Sequence, residues 1–287
     1  ALAAAPTATD NCTADPTITL VSDVTTPGLC PNTYIQVRVW TFSDGCGNTS
    51  APFTQTITVT DVTAPVVTTP AGSLDATVEC SDPLGLATAL AAFPAATDAC
   101  DVTPDISLVG NNSEPGICPS EYVLLRTWNF TDDCGNISAN FTQTITVVDN
   151  TAPVVTTSAG SLDATVECSD AVALAETLAE VQPATDKCTV TTTLVPVSDV
   201  TTPDGVCPNG YVRVRVWNFT DGCGNTSADF TQTITVIDNT APVVTTSAGS
   251  LDATVECSDA AALATALAAI PIATDNCTAV PTITLVS

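Results

Sequence analysis

Two kinds of side chain in this sequence can do chemistry. The 287 residues include 13 cysteines and 31 Asp+Glu against 5 Lys+Arg, with no histidine and no methionine. Without His, and with Lys187 as the one lysine, histidine acid–base catalysis, Ser-His triads and Schiff-base chemistry are essentially excluded. Lysine-dependent isopeptide cross-links would need a lysine in every module. Paired carboxylates can cleave glycosides, but the acids here recur in each copy of a repeat and no copy carries a distinguishing insert. The chain is therefore expected not to be an enzyme. The cysteines are Cys12, Cys30, Cys46, Cys80, Cys100, Cys118, Cys134, Cys168, Cys188, Cys207, Cys223, Cys257 and Cys277. They contain no CxxC pair, which argues against zinc. In an acidic, Thr-rich chain they point to disulfides and an oxidising, extracellular setting.

The formal net charge of -26 argues against nucleic-acid phosphate as a partner and against an anionic membrane surface. No apolar run approaches the ~18 residues that a membrane helix needs.

Stepping from cysteine to cysteine exposes the organisation. Cys12, Cys100, Cys188 and Cys277 are 88, 88 and 89 residues apart. FTQTITV recurs from Phe53, Phe141 and Phe230, TAPVVTT from Thr63, Thr151 and Thr240, and LDATVECSD from Leu74, Leu162 and Leu251. Such self-similarity marks a tandem repeat. Ala1–Ser22 matches Ala266–Ser287, and no initiator Met is present, so the expectation is a window on a longer array in which the odd cysteine is a framing effect. The expected division is residues 1–62 as the C-terminal part of a repeat, 63–150 and 151–239 as complete repeats, and 240–287 as the N-terminal part of another.

Within 63–150, APVVTT and LDATVEC read as strands separated by turn residues. Ser81-Asp82 offers an N-cap to PLGLATALAAF, which predicts a short helix there and in the matching inserts at 171–181 and 260–270. A strand DISLVG, a Gly/Asn/Pro-rich loop holding Cys118, a long strand 121–131, the DCGN turn and a strand 140–149 complete the unit. The fold class predicted is all-β: tandem Ig-like antiparallel β-sandwich repeats of about 88 residues, each with a helical insert and two disulfides. A ten-residue hairpin at ~3.3 Å per residue separates its ends by about 33 Å, so Cys118 and Cys134, which flank strand 121–131, cannot pair. Cys100 lies at the entry end with Cys134, and Cys80 at the exit end with Cys118. The predicted pairs are Cys100–Cys134, Cys80–Cys118, Cys12–Cys46, Cys188–Cys223 and Cys168–Cys207, with the partners of Cys30, Cys257 and Cys277 outside the window. Each Trp (Trp40, Trp128, Trp217) follows an Arg by two residues (Arg38, Arg126, Arg215), placing both on one strand face. Packing outweighs a ligand platform as its role.

ATDNC, the CPNTY loop, R-x-W, the D-x-CGN turn, TQTITV and D-x-TAP together resemble hyalin-repeat-like (HYR-like) modules of secreted bacterial surface proteins. They resemble in particular those of large repetitive cell-surface adhesins of the kind used in gliding motility by Bacteroidota and exported by type IX secretion. The resemblance covers every repeat. It implies an Ig-like fold, exposure on a bacterial cell surface and a filament-like role in adhesion.

The carboxylates suggest what could hold modules together. The strand directions place Glu79, Asp149 and Asn150 at the exit end of one repeat and Asp186, Asp221 and Asn225 at the entry of the next. Asp61 with Asp98, Asp132 and Asn136 would form the preceding set, and Glu167, Asp238 and Asp275 the following one. Oxygen-only ligands suit Ca²⁺, which takes six to eight of them. The competing reading is that Asp and Asn in TDxC and DxCGN are turn residues bonded to their own backbone. The function expected is a disulfide-stapled structural stalk of an extracellular filament or adhesin, which presents an adhesive region or transmits gliding force. Its partners would be neighbouring repeats of the same long chain, other filament chains, and surface or glycan ligands. The alternative is a glycan-binding array that uses the loops at 24–33, 111–120 and 200–210.

Overall fold

The computed structural model describes residues 5–286 except Gln182 and Val206. The chain forms two compact units, residues 1–117 with 121–148, and residues 118–120 with 149–287.

The first unit contains, in chain order, β1 (Thr17–Pro27), β2 (Tyr34–Ser43), β3 (Phe53–Val59), β4 (Val66–Val67), β5 (Ala76–Glu79), α1 (Pro83–Ala91), β6 (Ala96–Thr97), β7 (Asp105–Pro115), β8 (Tyr122–Thr131) and β9 (Phe141–Val148). They assemble into a sheet β1–β2–β3, a short ladder β4–β6 and a four-stranded sheet β5–β9–β8–β7. The second unit contains β10 (Val154–Val155), β11 (Ala164–Glu167), α2 (Ala171–Ala179), β12 (Ala184–Thr185), β13 (Thr193–Pro203), β14 (Tyr211–Thr220), β15 (Phe230–Ile237), β16 (Val243–Val244), α3 (Ala260–Ala268) and β17 (Ala273–Thr274). Its four-stranded sheet is β11–β15–β14–β13, with ladders β10–β12 and β16–β17.

Alternation along FTQTITV builds the core. In β9 and β15 every second side chain is buried, as period-2 strands with one wet face require. In the second unit Trp217, Phe219 and Phe230 pack with Leu162 and with Ala184 of the β12 ladder. Further along the same face, Ile234, Val236 and Val166 pack against Leu174 and Leu178 of α2. The short ladder and the helix thus roof one sheet face side by side, giving the sandwich. Between them sits a polar knot. Gln232 is fully buried; its Nε2 donates to the carbonyls of Leu162 (2.9 Å) and Thr177 (3.2 Å). The Arg215 guanidinium donates to Gln232 Oε1 at 2.8 Å and to the Leu178 carbonyl near the end of α2 at 3.0 Å, a cation at a helix C-terminus. Arg126, Gln143, Leu74 and Ala89 repeat the knot in the first unit. Each Arg also lies over its Trp, 4.5, 4.6 and 5.3 Å from the ring centroid for Arg38, Arg126 and Arg215. Committed to these buried contacts, the Arg–Trp pair is packing.

The helices start where an Asp can cap them. Asp82, Asp170 and Asp259 accept from the backbone N–H of Gly85, Ala173 and Ala262, and Pro83 opens α1. Three features differ from the sequence-based expectation. APVVTT contributes only a Val-Val ladder to each copy, because Thr68 N–H turns to the Ala95 carbonyl. β7 continues through the Gly/Asn-rich stretch, absorbing it with a bulge between Leu108 and Gly110. LDATVEC pairs parallel to FTQTITV, so the sheets are antiparallel except at that edge.

The cysteine pairing is the main correction. The bonds are Cys30–Cys134, Cys118–Cys223 and Cys168–Cys277, spanning 104, 105 and 109 residues. Cys80 and Cys188 are also disulfide-bonded, and occupy the repeat positions of Cys168 and Cys277. The predicted within-repeat pairs Cys100–Cys134, Cys80–Cys118, Cys12–Cys46, Cys188–Cys223 and Cys168–Cys207 do not form, and Cys30 and Cys277 find their partners inside the chain. Cys12, Cys46, Cys100, Cys207 and Cys257 carry free thiols. Strand geometry did place these cysteines at the ends of the sandwich. Those sharing an end project along the chain, so a loop cysteine meets the CGN turn of the following repeat rather than its neighbour. In the chain-entropy account, closing a loop of ~100 residues contributes about 4.7 kcal/mol, somewhat more than the shorter loops expected.

Candidate functional site at the acidic junctions

Where one repeat passes into the next, three sequence signals converge: the D-x-T linker, the TDxC segment and the D-x-CGN turn. The turn is built first. Asp221 Oδ1 accepts from the N–H of Cys223 (2.8 Å) and Asn225 (2.9 Å), and its Oδ2 accepts from the Asn225 amide at 2.9 Å. Gly224, at φ 91°, supplies the left-handed residue that a Cβ would resist. The TDxC segment repeats the device: Asp186 Oδ1 accepts from Cys188 N–H and Thr189 N–H, both at 2.7 Å. The linker then comes to the turn, with Asn225 Nδ2 donating to the Asp149 carbonyl at 3.0 Å.

The result brings oxygens of Asp149, Asp186 and Asp221 within 4.8 Å of one another. Asp149 and Asp221 are 3% and 7% exposed. Asp186 Oδ2 is buried with no hydrogen-bond partner. Burial, then the charges of Asp186 and Asp221, hold the Asp149 carboxyl above the ordinary range, although Thr151 and Thr189 donate to it. Burial alone would raise Asp221 too, but the Asn225 amide and the backbone N–H donors outweigh it and lower its pKa. Three carboxylates, one of them resisting ionisation, form a site that a hard cation would relieve.

The first unit repeats this arrangement with a thiol in place of one acid. Oxygens of Asp61 and Asp98 lie within 4.8 Å of Cys100 Sγ. Asp132 forms the same turn, Asn136 Nδ2 donates to the Asp61 carbonyl at 3.4 Å, and burial followed by Asp61, Asp98 and Asp132 pushes the Cys100 thiol up. At the other end of the second unit, Glu167 and Asp238 gather around Cys168 and Cys277; those sulfurs are joined to each other, which leaves two carboxylates. Asp275 caps Cys277 N–H and Thr278 N–H there. Among the expected ligands, Asp149, Asp186 and Asp221 converge, as do Asp61 and Asp98. Asp132, Asn136 and Asn225 serve as turn and linker braces. Glu79 ends β5 beside Cys80.

Sequence reasoning missed a third brace. Asn32, Ser120 and Asn209, two residues after a loop cysteine, donate to the carbonyls of Cys100, Cys188 and Cys277. The fixed offset of 68 residues was the available signal. The loops at 24–33, 111–120 and 200–210 are thereby engaged in junctions, and much of each is strand; Val206, in the last, lies outside the described residues.

Residues 67–147 match the family described as HYR-like domain with 4 cysteines. Residues 67–147 are thus similar to a hyalin-repeat-like, Ig-like module. Beyond that HYR-like segment, the chain is 30% identical over 254 residues to hyalin of Lytechinus variegatus, covering 88% of this chain and 46% of that one. It is 32% identical over 258 residues to hyalin of Strongylocentrotus purpuratus, covering 88% and 20%. The chain therefore spans about half the length of the first relative and a fifth of the second. Among solved structures, it is similar to mouse clustered PcdhgC3 EC1-3 (14% identity, TM-score 0.28, 73% of this chain and 79% of that one). It is also similar to Drosophila N-cadherin EC1-4 (11%, TM-score 0.31, 78% and 67%). No helix among the described residues is long and apolar enough to cross a membrane.

Proposed function

We propose that this HYR-like chain is a stalk: a load-bearing array of modules in an extracellular, disulfide-stapled filament or adhesin on a bacterial cell surface. Its mechanical continuity would present an adhesive region or transmit gliding force. Residues 63–150 and 151–239 are its complete modules. The observation that carries this reading is the disulfide frame, in which loop cysteines bond the CGN turn about 105 residues onward, across a junction already braced by Asn225 and Ser120. The glycan-binding alternative draws no such support, because its loops are engaged in those junctions.

Single-molecule stretching tests the stalk. With Cys30–Cys134 and Cys118–Cys223 intact, only about 110 residues remain in the load path, so full extension is about 380 Å, against about 1,000 Å for the reduced chain. Equal extensions with and without reductant would remove the basis for the proposal.

Within the same reading, the Asp149–Asp186–Asp221 cluster is a calcium site. The cation would draw one oxygen from each carboxylate, and the unpartnered Asp186 Oδ2 is the first candidate. Calorimetry on EDTA-treated protein should give a heat of binding and a calcium-dependent rise in melting temperature. The absence of both rejects the site without touching the disulfide argument.

A further inference from the structure

The sheet β11–β15–β14–β13 has two faces, and the core uses one of them. Trp217, Phe219, Phe230, Ile234 and Val236 point toward the short ladder and α2, so strand alternation sends the residues between them the other way. The register sets those residues in rows. Val212, Val214 and Val216 of β14 stand beside Thr235, Thr233 and Thr231 of β15. Thr202, Val200 and Ser198 of β13 continue the rows, and Thr165 of β11 extends one of them. None of these ten side chains is charged and none is buried; Val200 is 56% exposed. Charge resumes at the rim. Asp229 accepts there from Asn218 at 2.9 Å, Asp163 from the Thr233 N–H at 2.7 Å, and Glu167 pairs with Ile237. The same columns recur in the first unit. Val39, Val37 and Ile35 stand beside Thr54, Thr56 and Thr58, and Thr127, Leu125 and Val123 beside Thr142, Thr144 and Thr146. Glu114 of β7 ends one row there, next to Val123.

We infer that this valine–threonine face is a self-association surface, on which the same face of a second copy of the chain packs sheet against sheet. Charge selects the occupant. Two copies at -26 each repel over most approaches, and at this face they meet without bringing carboxylates together. A partner with a charged surface would lose hydration and gain no counter-ion. Bases and sugars find no aromatic ring to stack on, and phosphates find no cation. A like face supplies valines to pack against threonine methyls, and hydroxyls that donate and accept at once. Area agrees. β14 has ten residues at ~3.3 Å each, and four strands lie ~4.8 Å apart, so one face covers about 600 Å² and a pair of faces about 1,200 Å². That is the lower end of interfaces that hold, so a dissociation constant of about 10–100 μM is expected. The contact is isologous, with strands of the two copies within about 30° of each other. It rests on neither the calcium reading nor the disulfides.

Sedimentation velocity on the full chain in EDTA, from about 1 to 300 μM, tests the inference. The expected result is reversible dimerisation that tightens about threefold or more between about 50 and 500 mM NaCl, because salt screens the repulsion between copies and leaves an uncharged contact alone. V37E/L125E/V214E puts a glutamate at the centre of each face, where it meets its own kind, and should weaken dimerisation about a hundredfold while cooperative thermal unfolding is retained. Mixed one to one with V37K/L125K/V214K, it should associate again. A87E/A175E/A264E adds the same charge on the exposed sides of the helices, across the module from the face, and should dimerise within about threefold of the parent. A chain that stays monomeric at the highest concentration and salt would overturn the inference. So would dimers that require calcium, association that salt weakens, a glutamate face variant that dimerises like the parent, a mixture that stays apart, or a helix variant that loses as much as the face variant.

Discussion

FTQTITV in β3 and FTQTITV in β15 are the same seven residues in two different surroundings. In β15 the phenylalanine, glutamine, isoleucine and valine are all buried, while in β3 none is. Both strands pair with an antiparallel neighbour in the same register, so backbone pairing is not the difference. What β15 has in addition is LDATVEC on its free edge and a helix across its face. The edge strand and the helix across the sheet are therefore what bury these side chains in β15.

Truncating the buried isoleucine should show that contrast most strongly. Ile234 has no exposed surface, so Ile234→Ala is expected to cost about 2–5 kcal/mol. Ile57→Ala, at the matching site in β3, should cost less than half of that, read as the shift in chemical denaturation midpoint. Equal costs would mean that β3 is roofed in solution. The glutamine comes next. Gln232→Ala strands the Leu162 and Thr177 carbonyls and removes one of the two acceptors of the Arg215 guanidinium, at about 2–3 kcal/mol, while Gln55→Ala loses no comparable bonds and should fall within about 0.5 kcal/mol of the parent. If Gln55→Ala proved as damaging, the knot would exist without its helix.

The smallest expected effect concerns pH, and it compares two acids of one cluster. Asp149 is raised, so its penalty on the folded state is full above its folded pKa, declines as pH falls below that value and is gone below the unfolded pKa. Asp221 is lowered, so its stabilisation is present above its unfolded pKa and is lost as pH falls through the folded value. Without divalent cations, Asp149→Asn should therefore raise the melting temperature at neutral pH, and Asp221→Asn should lower it. Added calcium should stabilise the parent more than either variant. Thermal melts across pH 3–8 with and without EDTA would read all three, and a destabilised Asp149→Asn would contradict the repulsion described here.

Much of this was legible in the sequence because it is local. Asp82, Asp170 and Asp259 announce the helices that begin at the next residue, and the alternation in FTQTITV fixes which side chains turn inward. The convergence of Asp149, Asp186 and Asp221 followed from strand direction alone. The disulfides were not legible for a physical reason. Direction tells which end of a sandwich a cysteine occupies, and two cysteines at one end satisfy the distance rule as readily with partners in an adjoining repeat as with each other. The parallel edge strand was hidden likewise, since period-2 alternation is the same for either direction. Gln143 and Gln232 looked like ordinary polar strand residues; only the helix lying across the sheet makes them central.

The disulfide rings have a topological consequence. Each ring is longer than one repeat, so consecutive rings overlap: 30–134, 118–223 and 168–277 share residues at every step. Any single break of the main chain between Cys30 and Cys277 falls inside at least one ring. The two fragments then stay covalently attached, so an extracellular protease must cut at least twice to release a piece.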